Sequence, residues 1–208
     1  MKYDVIIVAS GKGQRANLGY NKVFYHLKDG RSILDCSIAK FEEDDDCRKI
    51  IVVTNPEHFH EVKGFKTIVV EGGKERRDSV YNGLKMVESE YVMIHDGARP
   101  YLNKEALGDI KEKLKECDCV VLGKIATDTI KIVDSDKVVE TIDRNRVFQA
   151  ETPQAFKSEL IRNAYENCAD INFTDDTSLV ESLGYEVRIV IDRFDNKKLT
   201  REEDFRDL

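Results

Sequence analysis

The stretch VIIVASGKGQRANLGYNK, residues 5–22, places a loop of glycines and basic residues directly after an apolar run. The run VIIV is β-branched throughout, which is typical of a strand buried on both faces of a parallel sheet. Gly11 and Gly13 remove side chains from the following turn, so that backbone N–H groups can approach a phosphate closely. Arg15 and Lys22 add positive charge beside that turn. We therefore predict a parallel sheet whose first loop binds an anion.

Composition excludes several classes of protein. The 208 residues carry a formal net charge of −7, with a pI near 5.3. This argues against a nucleic-acid binder, because binding to the phosphate backbone needs a net basic face. Five cysteines without a Cys-x-x-Cys pair indicate reduced thiols in a cytoplasmic protein. No run approaches the ~20 apolar residues of a membrane span, and the N-terminus does not resemble a signal peptide. We expect a soluble chain with one domain, residues 1–208.

The order of the apolar segments predicts the fold class. The strand-like segments KIIVVT, KTIVV, YVMIHD and CVVLGKI alternate with the helical segments SILDCSIAKF, EHFHEVKGF, RDSVYNGLKMVESE and KEALGDIKEKLKE. The tail adds two helices, KSELIRNAYENC and DDTSLVESLG, then the strand EVRIVI and a closing charged helix. This alternation predicts an α/β three-layer sandwich with a Rossmann-like, mostly parallel sheet. Ligands are then expected at the carboxyl ends of the strands.

The alternation is interrupted at about residues 126–148. There the segment DTIKIVDSDKVVETI predicts two strands joined by a polar turn at Asp134-Ser135-Asp136. An isolated two-stranded ribbon is only marginally stable in water. We therefore expect a protruding β-hairpin arm that packs on a second copy of the chain.

Several motifs that resemble metal sites have simpler interpretations. Asp134 and Asp136 fall in the predicted hairpin turn, where aspartates are common. The acidic run at residues 42–46 is interpreted as a solvated linker between a helix and a strand. His58 and His60 lie two residues apart on a helix expected to be exposed, and His95 has no evident metal partners, so a zinc site is not expected. None of these motifs is predicted to bind metal.

Polar loops after the strands carry more functional groups than folding requires: SGKGQR, EGGKERRDSV, HDGARP, DTIK with IDRN, and DNKKLT. In one reading, the Gly73 backbone and the Ser79 hydroxyl bind a nucleobase or ribose; in the other they form an ordinary capped turn. Asp96 follows a strand, where α/β enzymes often present a carboxylate to a ligand or metal, although an Asx-turn before Pro100 is the alternative.

Taken in order, nine segments resemble the cytidylyltransferase family that makes 4-diphosphocytidyl-2-C-methyl-D-erythritol in the non-mevalonate isoprenoid pathway. They are ASGKGQR, NK, GGKERRDSV, HDGARP, DTIK, TIDRN, TPQAF, TDDTSLVE and DNKKLT, and they span nearly the whole chain. One such match means little, but nine in sequence order are specific. The resemblance implies a nucleotidyltransferase fold and transfer of a cytidylyl group from CTP to 2-C-methyl-D-erythritol 4-phosphate.

The resemblance also implies a role for each matching residue. Arg15 and Lys22 would stabilise charge at the α-phosphate of CTP as pyrophosphate leaves. Lys198 and, on the arm, Arg144 would position the acceptor phosphate. The residues implied for nucleotide binding are Ala9, Ser10, Gly11, Gly13, Gly73, Ser79, Asp96 and Gly97. Those implied for acceptor binding are Arg99, Thr129, Thr152 and Thr174.

Cofactor and partners follow from the same resemblance. Mg²⁺, or another divalent cation, would be held mainly by the CTP phosphates, with Asp96 as the candidate protein ligand. The substrates would be CTP and a polyol phosphate. Because the family's arm acts on the neighbouring subunit's site, a homodimer through the β-arm is expected, without nucleic acid or membrane as partner.

Two other functions remain open at this point. A ribitol 5-phosphate cytidylyltransferase would use the same loop and lysine, although TIDRN and DTIK look more like the methylerythritol enzyme. A non-catalytic nucleotide-binding regulatory protein on the same fold would keep the glycines and lose the cations. Retention of Arg15, Lys22, Arg144 and Lys198 disfavours this second alternative.

Overall fold

The central sheet combines a parallel core with one antiparallel strand. The computed structural model describes residues 1–11, 19–167 and 173–205. Its strands are β1 (Tyr3–Val8), β2 (Cys47–Thr54), β3 (Thr67–Glu71), β4 (Tyr91–Asp96), β5 (Cys119–Ile125), β6 (Ile130–Asp134), β7 (Lys137–Ile142), β8 (Phe148–Lys157) and β9 (Arg188–Ile191). Seven of them form one sheet in the order β3-β2-β1-β4-β8-β5-β9, in which only β8 runs antiparallel to its neighbours.

The helices occupy the positions predicted from the periodic segments. They are α1 (Ile33–Glu42), α2 (Arg76–Leu84), α3 (Lys104–Lys113), α4 (Ser158–Glu166) and α5 (Asp176–Ser182). The predicted short helix after β2 is a 3₁₀ helix, Pro56–Glu61. The predicted closing helix contains a 3₁₀ turn, Glu202–Phe205, and its last residues, 206–208, lie outside the described residues. Within the described chain, every helix is too short or too polar to cross a membrane.

Helix α2 is shorter than its sequence pattern suggests. The predicted segment extends to residue 90, whereas the helix ends at Leu84. Beyond it, the buried carboxylate of Asp4 accepts hydrogen bonds from the backbone N–H groups of Glu88 and Ser89, at 2.7 and 2.9 Å. This contact from β1 draws the segment into a non-helical path.

Alternate residues of each strand face opposite layers of helices. Val5 and Ile7 of β1 lie in the apolar cluster that includes residues of α1 and α3. Ile6, between them, lies in a second cluster with residues of α2, α4 and α5. Because both faces of the sheet are covered, the strands read as continuous apolar runs. The predicted three-layer sandwich is confirmed.

Strand β8 is absent from the sequence prediction. Its sequence, FQAETPQAFK, mixes polar and apolar residues and contains Pro153, which favours an edge position or a bulge. In the sheet it lies between β4 and β5, and its pairing with β5 shifts register close to Pro153, between Val121 and Gly123. The irregularity accommodates the missing proline N–H. It also places Thr152 beside the end of β4.

A β-hairpin forms where the arm is predicted. Strands β6 and β7 pair antiparallel in a two-stranded sheet separate from the main one. Its turn contains Ser135, with φ of 55°, which agrees with the turn interpretation of the flanking aspartates. Four large apolar side chains on this hairpin are 46 to 65% exposed: Ile132, Val133, Val138 and Val139.

The interpretation of the acidic run at residues 42–46 as a solvated linker is wrong at Asp44. This carboxylate is buried, accepts a hydrogen bond from the Tyr3 hydroxyl at 3.0 Å and pairs with Lys111 of α3 at 2.9 Å. Burial alone would raise its pKa, but the hydrogen bonds it accepts and Lys111 lower it overall. The run therefore contains a structural ion pair that joins the segment after α1 to α3.

Candidate active site

An open cavity of about 830 Å³ lies beyond the carboxyl ends of β1 and β4, as predicted for ligand binding to this type of sheet. Loops after β1, β2, β3, β4 and β9 form its wall. The described lining residues are Val8, Ala9, Ser10, Gly11, Asn21, Lys22, Val23, Asn55, Gly73, Lys74, Glu75, Arg76, Asp96, Ala98 and Lys198. The volume is within the range of small-molecule binding sites.

Ser79 ties the loop after β1 to the loop after β3. Its hydroxyl donates to the carbonyl of Glu75 at 3.1 Å and accepts from the backbone N–H of Gly73 at 3.0 Å. The Ser10 hydroxyl lies 2.8 Å away, and donates because the single proton of Ser79 is already engaged. Ser79 is fully buried and has no further hydrogen-bonding capacity. In this arrangement it shapes the loops, while Ser10 and Gly73 line the cavity.

The absence of a side chain at Gly73 permits a close approach of that loop to α2. A Cβ atom built at Gly73 would lie 2.2 Å from the Cβ of Asp78 and 3.0 Å from its backbone carbonyl carbon. Such distances require the loop or the helix to move. Gly73 is thus needed for the backbone path that forms this wall of the cavity.

Asn21 places Lys22 at the cavity. Its side-chain amide donates to the carbonyl of Ala9 at 2.5 Å and, through its oxygen, accepts from the N–H of Val23 at 3.4 Å. These contacts cap the 3₁₀ turn Lys22–Phe24 and fasten it to the end of β1. The predicted catalytic lysine therefore sits in a short helical turn held against the glycine loop.

The carboxylate of Asp96 is surrounded by three cations. Lys198 Nζ lies 2.6 Å from Oδ2, Arg99 Nε 3.8 Å from Oδ2, and Arg76 Nε 3.9 Å from Oδ1. Burial alone would raise the pKa of this carboxyl, but Lys198, Arg76 and Arg99 hold it well below its usual range. Asp96 is an ionised group that orders cations at the cavity.

A chain of buried hydrogen bonds supports Asp96 from behind. The Nε2–H of His95 donates to the carbonyl of Arg99 at 3.1 Å, and the Thr152 hydroxyl donates to Nδ1 at 3.2 Å. Thr152 Oγ1 in turn accepts from the backbone N–H of Asp96 at 3.0 Å. Burial lowers the pKa of His95 to about 4, so the imidazole is neutral at pH 7. Both ring nitrogens are engaged in these hydrogen bonds.

The loop that carries Lys198 is anchored to the same region. Arg99 Nη1 donates to the carbonyl of Asn196 at 2.7 Å, and the amide of Asn196 donates to the carbonyl of Thr152 at 2.8 Å and to Glu151 at 3.1 Å. Asn196 is fully buried. These contacts fix the backbone of the loop two residues before Lys198.

The structure brings together only part of the predicted site. Predicted residues that line the cavity are Ala9, Ser10, Gly11, Lys22, Gly73, Asp96 and Lys198. Those buried behind its wall are Ser79, Gly97, Arg99 and Thr152. Thr174 is exposed just before α5, and on the arm Thr129 and Arg144 are exposed, the latter bonded to the carbonyl of Thr127 at 2.7 Å. Gly13 and Arg15 lie outside the described residues.

Arg76 and Asn21 are the main site residues that the sequence reasoning misses. Both fall inside quoted motifs, but neither was assigned a role. A signal for Arg76 exists, because it precedes the buried Ser79 and Val80 by three and four residues on one helix, whereas its neighbour Arg77 faces outward. Asn21 could have been recognised as a capping residue before Lys22.

The carboxylates present suit a cation bound together with a substrate rather than a protein cage. Across the described ranges, no group of three or more His, Cys, Asp or Glu side chains could hold a metal ion. Asp96 lines the cavity and offers carboxylate oxygens. Mg²⁺ is commonly bound by one or two carboxylates plus substrate phosphates. The residues fit such a cation with Asp96 as its protein ligand.

A three-layer sandwich with glycines and lysines at a cavity beyond the carboxyl ends of its strands is typical of a nucleotide-binding α/β protein. The family model for 2-C-methyl-D-erythritol 4-phosphate cytidylyltransferase matches residues 3–207. The chain belongs to this family, and it is a transferase that moves a cytidylyl group from CTP to 2-C-methyl-D-erythritol 4-phosphate in isoprenoid biosynthesis.

Individual members of this family align with the chain over nearly its full length. The 2-C-methyl-D-erythritol 4-phosphate cytidylyltransferase of Clostridioides difficile is 41% identical, over 97% of this chain and 90% of its own. That of Bacillus licheniformis is 38% identical, over 98% and 93%. The crystal structure of the Francisella tularensis enzyme is 29% identical with a TM-score of 0.85, covering 98% of this chain and 96% of that one. The family match decides against the regulatory alternative and in favour of the methylerythritol acceptor.

Proposed function

We propose that the cytidylyl transfer takes place in the cavity beyond β1 and β4. CTP lies against Ser10, Gly11 and Gly73, and the phosphate of 2-C-methyl-D-erythritol 4-phosphate binds at Lys198. An oxygen of that phosphate attacks the α-phosphorus of CTP, and the bond to the departing pyrophosphate breaks. The observation that carries this placement is that Lys22 and Lys198 line one cavity together with Ala9, Ser10 and Gly11 of the loop after β1.

The geometry suits a reaction that needs positioning and charge more than a strong base. The second pKa of a phosphate monoester is about 6, so the acceptor is already mostly ionised at pH 7. The buried His95 is neutral and fully engaged, and it is not needed as a base. The chain's task is to bring two polyanions together and to stabilise the charge that develops at the α-phosphate.

Lys22 and Arg15 are proposed to stabilise the α-phosphate. Loss of Lys22 is expected to raise the barrier by roughly 3 kcal/mol, by comparison with a lost oxyanion donor. Lys198 is proposed to position the acceptor, because its ammonium reaches the cavity from the anchored loop after β9. When bound with CTP, Mg²⁺ would supply charge neutralisation to the phosphates, with Asp96 as its protein ligand.

The arm is proposed to complete the site of a second copy of the chain. Thr129 and Arg144 are exposed, and the described lining residues of the cavity include none from the arm. The apolar side chains on β6 and β7 are exposed in the single chain, and a partner would bury them. A homodimer in which Arg144 reaches the partner's acceptor phosphate accounts for both observations.

The function is tested by measuring pyrophosphate release from CTP and Mg²⁺ with either 2-C-methyl-D-erythritol 4-phosphate or ribitol 5-phosphate. Turnover is expected with the first acceptor, and Lys198→Ala should raise the KM for it while leaving the KM for CTP nearly unchanged. Lys197→Ala is the matched control, because Lys197 is 53% exposed and pairs with Asp204 instead. Equal effects of the two substitutions would contradict the role of Lys198.

The dimer is tested by mixing two variants, Arg144→Ala and Lys198→Ala, at an acceptor concentration low enough that each has little activity by itself. If arms act in the partner's site, mixed dimers contain one intact site and activity returns. Mixing Arg144→Ala with the double variant cannot create an intact site and serves as the control. Subunit exchange without recovered activity would mean that the arm serves its own chain.

A further inference from the structure

We propose that Arg76 is a positioning residue that holds the Asp96 carboxylate in place when Lys198 turns from Asp96 to the acceptor phosphate. The inference rests on the proposed function, in which Lys198 binds that phosphate. It assigns a role to a side chain that no sequence motif singled out.

The contacts of Asp96 are divided between its two oxygens. Lys198 contacts Oδ2 at 2.6 Å, and Arg99 also faces Oδ2, at 3.8 Å. Arg76 approaches from the other side, with Nε 3.9 Å from Oδ1. A phosphate dianion competes with Asp96 for the ammonium of Lys198, so the 2.6 Å contact must weaken as the acceptor binds. Arg76 does not share that oxygen and can keep its contact.

A buried anchor fixes Arg76 at its far end. Its Nη2 donates to Oδ2 of Asp176 at 2.7 Å, and Oδ1 of Asp176 accepts from the Tyr165 hydroxyl at 2.6 Å. Asp176 is fully buried at the start of α5. The planar guanidinium therefore bridges two carboxylates, one structural and one in the cavity, and its orientation is set by the first.

Removal of this bridge would leave Asp96 with cations at Oδ2 only, Lys198 at 2.6 Å and Arg99 at 3.8 Å. A carboxylate at the cavity wall without its Oδ1 partner repels the incoming phosphate and attracts Lys198 more strongly. Both effects oppose acceptor binding, whereas CTP, bound by the glycine loop, is less affected. We expect a rise in the KM for the acceptor rather than a general loss of activity.

The informative substitution is Arg76→Lys, because it separates positioning from folding. A lysine keeps a cation for Asp176, but its single ammonium cannot span both carboxylates. We expect an unchanged Tm, a KM for 2-C-methyl-D-erythritol 4-phosphate raised about tenfold, equivalent to about 1.4 kcal/mol, and a KM for CTP changed less than twofold. Arg77→Lys is the control, since Arg77 is 44% exposed and its contacts are to the exposed Glu75 and Asp78.

A double-mutant cycle with Asp96 decides whether Arg76 acts through that residue. In an Asp96→Asn background, Arg76→Lys should change the KM for the acceptor less than twofold, because there is no carboxylate left to hold. A tenfold effect in both backgrounds would mean that Arg76 binds substrate directly and would overturn the proposal. So would kinetics of Arg76→Lys that match those of Arg77→Lys. Failure of the wild-type protein to use the acceptor at all would instead contradict the proposed function.

Discussion

The hydrogen-bond chain behind Asp96 makes Thr152→Val a stringent test of how the cavity is supported. Valine matches threonine in shape, so the substitution removes a hydroxyl without opening a cavity. It leaves two buried groups without their partner, the N–H of Asp96 and Nδ1 of His95. Each unpaired buried group costs about 1–3 kcal/mol, so the free energy of unfolding should fall by roughly 2–6 kcal/mol.

Urea unfolding provides the assay. With an m-value of about 2 kcal/mol/M, the midpoint for Thr152→Val should fall by roughly 1–3 M. Thr152→Ser keeps the hydroxyl and is the matched control, expected to lose much less. The reasoning would be refuted by a midpoint for Thr152→Val close to that of the wild type, or by equal losses in the two variants.

Three further predictions concern other contacts. Lys111→Met should destabilise the fold by about 3 kcal/mol in urea unfolding, because it leaves the buried carboxylate of Asp44 unpaired, and Asp44→Asn added to it should restore part of the loss. Gly73→Ala should raise the KM for CTP roughly tenfold, since a Cβ there would lie 2.2 Å from the Cβ of Asp78 in α2. Gly108→Ala is the control: a Cβ there has nothing within 4 Å, so the substitution should raise the free energy of unfolding by ~0.5–1 kcal/mol and leave the KM for CTP unchanged. Burial lowers the pKa of His95 to about 4, from about 6.5 in the unfolded chain, so between these pH values the folded state binds fewer protons than the unfolded state. The contribution of His95 to the free energy of unfolding should therefore be complete above pH 6.5 and fall by up to about 3 kcal/mol towards pH 4, as measured by urea unfolding at several pH values.

The sequence predicts those parts of the fold whose signals are local. The strand β1 and the loop after it can be recognised because burial on both faces and the turn leave a pattern within a few residues. Strand β8 cannot, since what makes it a strand is its place between β4 and β5, and Pro153 argues against a strand unless the register shift is known. The same holds for Asp44, whose partners Tyr3 and Lys111 are about 40 and 67 residues away.

The sequence motifs predict the site where they indicate a loop without bulky side chains or the position of a charged residue. Lys22 and Lys198 were found through their segments, and both line the cavity. Motifs do not show whether a polar group faces the ligand or the protein. The resemblance implies that the hydroxyls of Ser79 and Thr152 bind substrate, and in the structure both are buried and bonded to the loops that form the wall. Hydrogen bonds of this kind depend on distances in the folded structure, which the spacing of residues along the chain does not reveal.

The proposed site illustrates how a chain with net charge −7 can accept two polyanions. Cations that converge on an empty site repel one another, and long side chains would disperse into solvent. Here Asp176 fixes Arg76, and Asp96 draws Arg76, Arg99 and Lys198 towards one point. The two carboxylates therefore lower the electrostatic cost of assembling the cations before substrate arrives, and an incoming phosphate needs only to displace Lys198 from one oxygen of Asp96. Preorganisation of this kind costs some attraction for anions but avoids reordering the side chains during the reaction. Acidic residues at a phosphate site are thus part of its binding machinery.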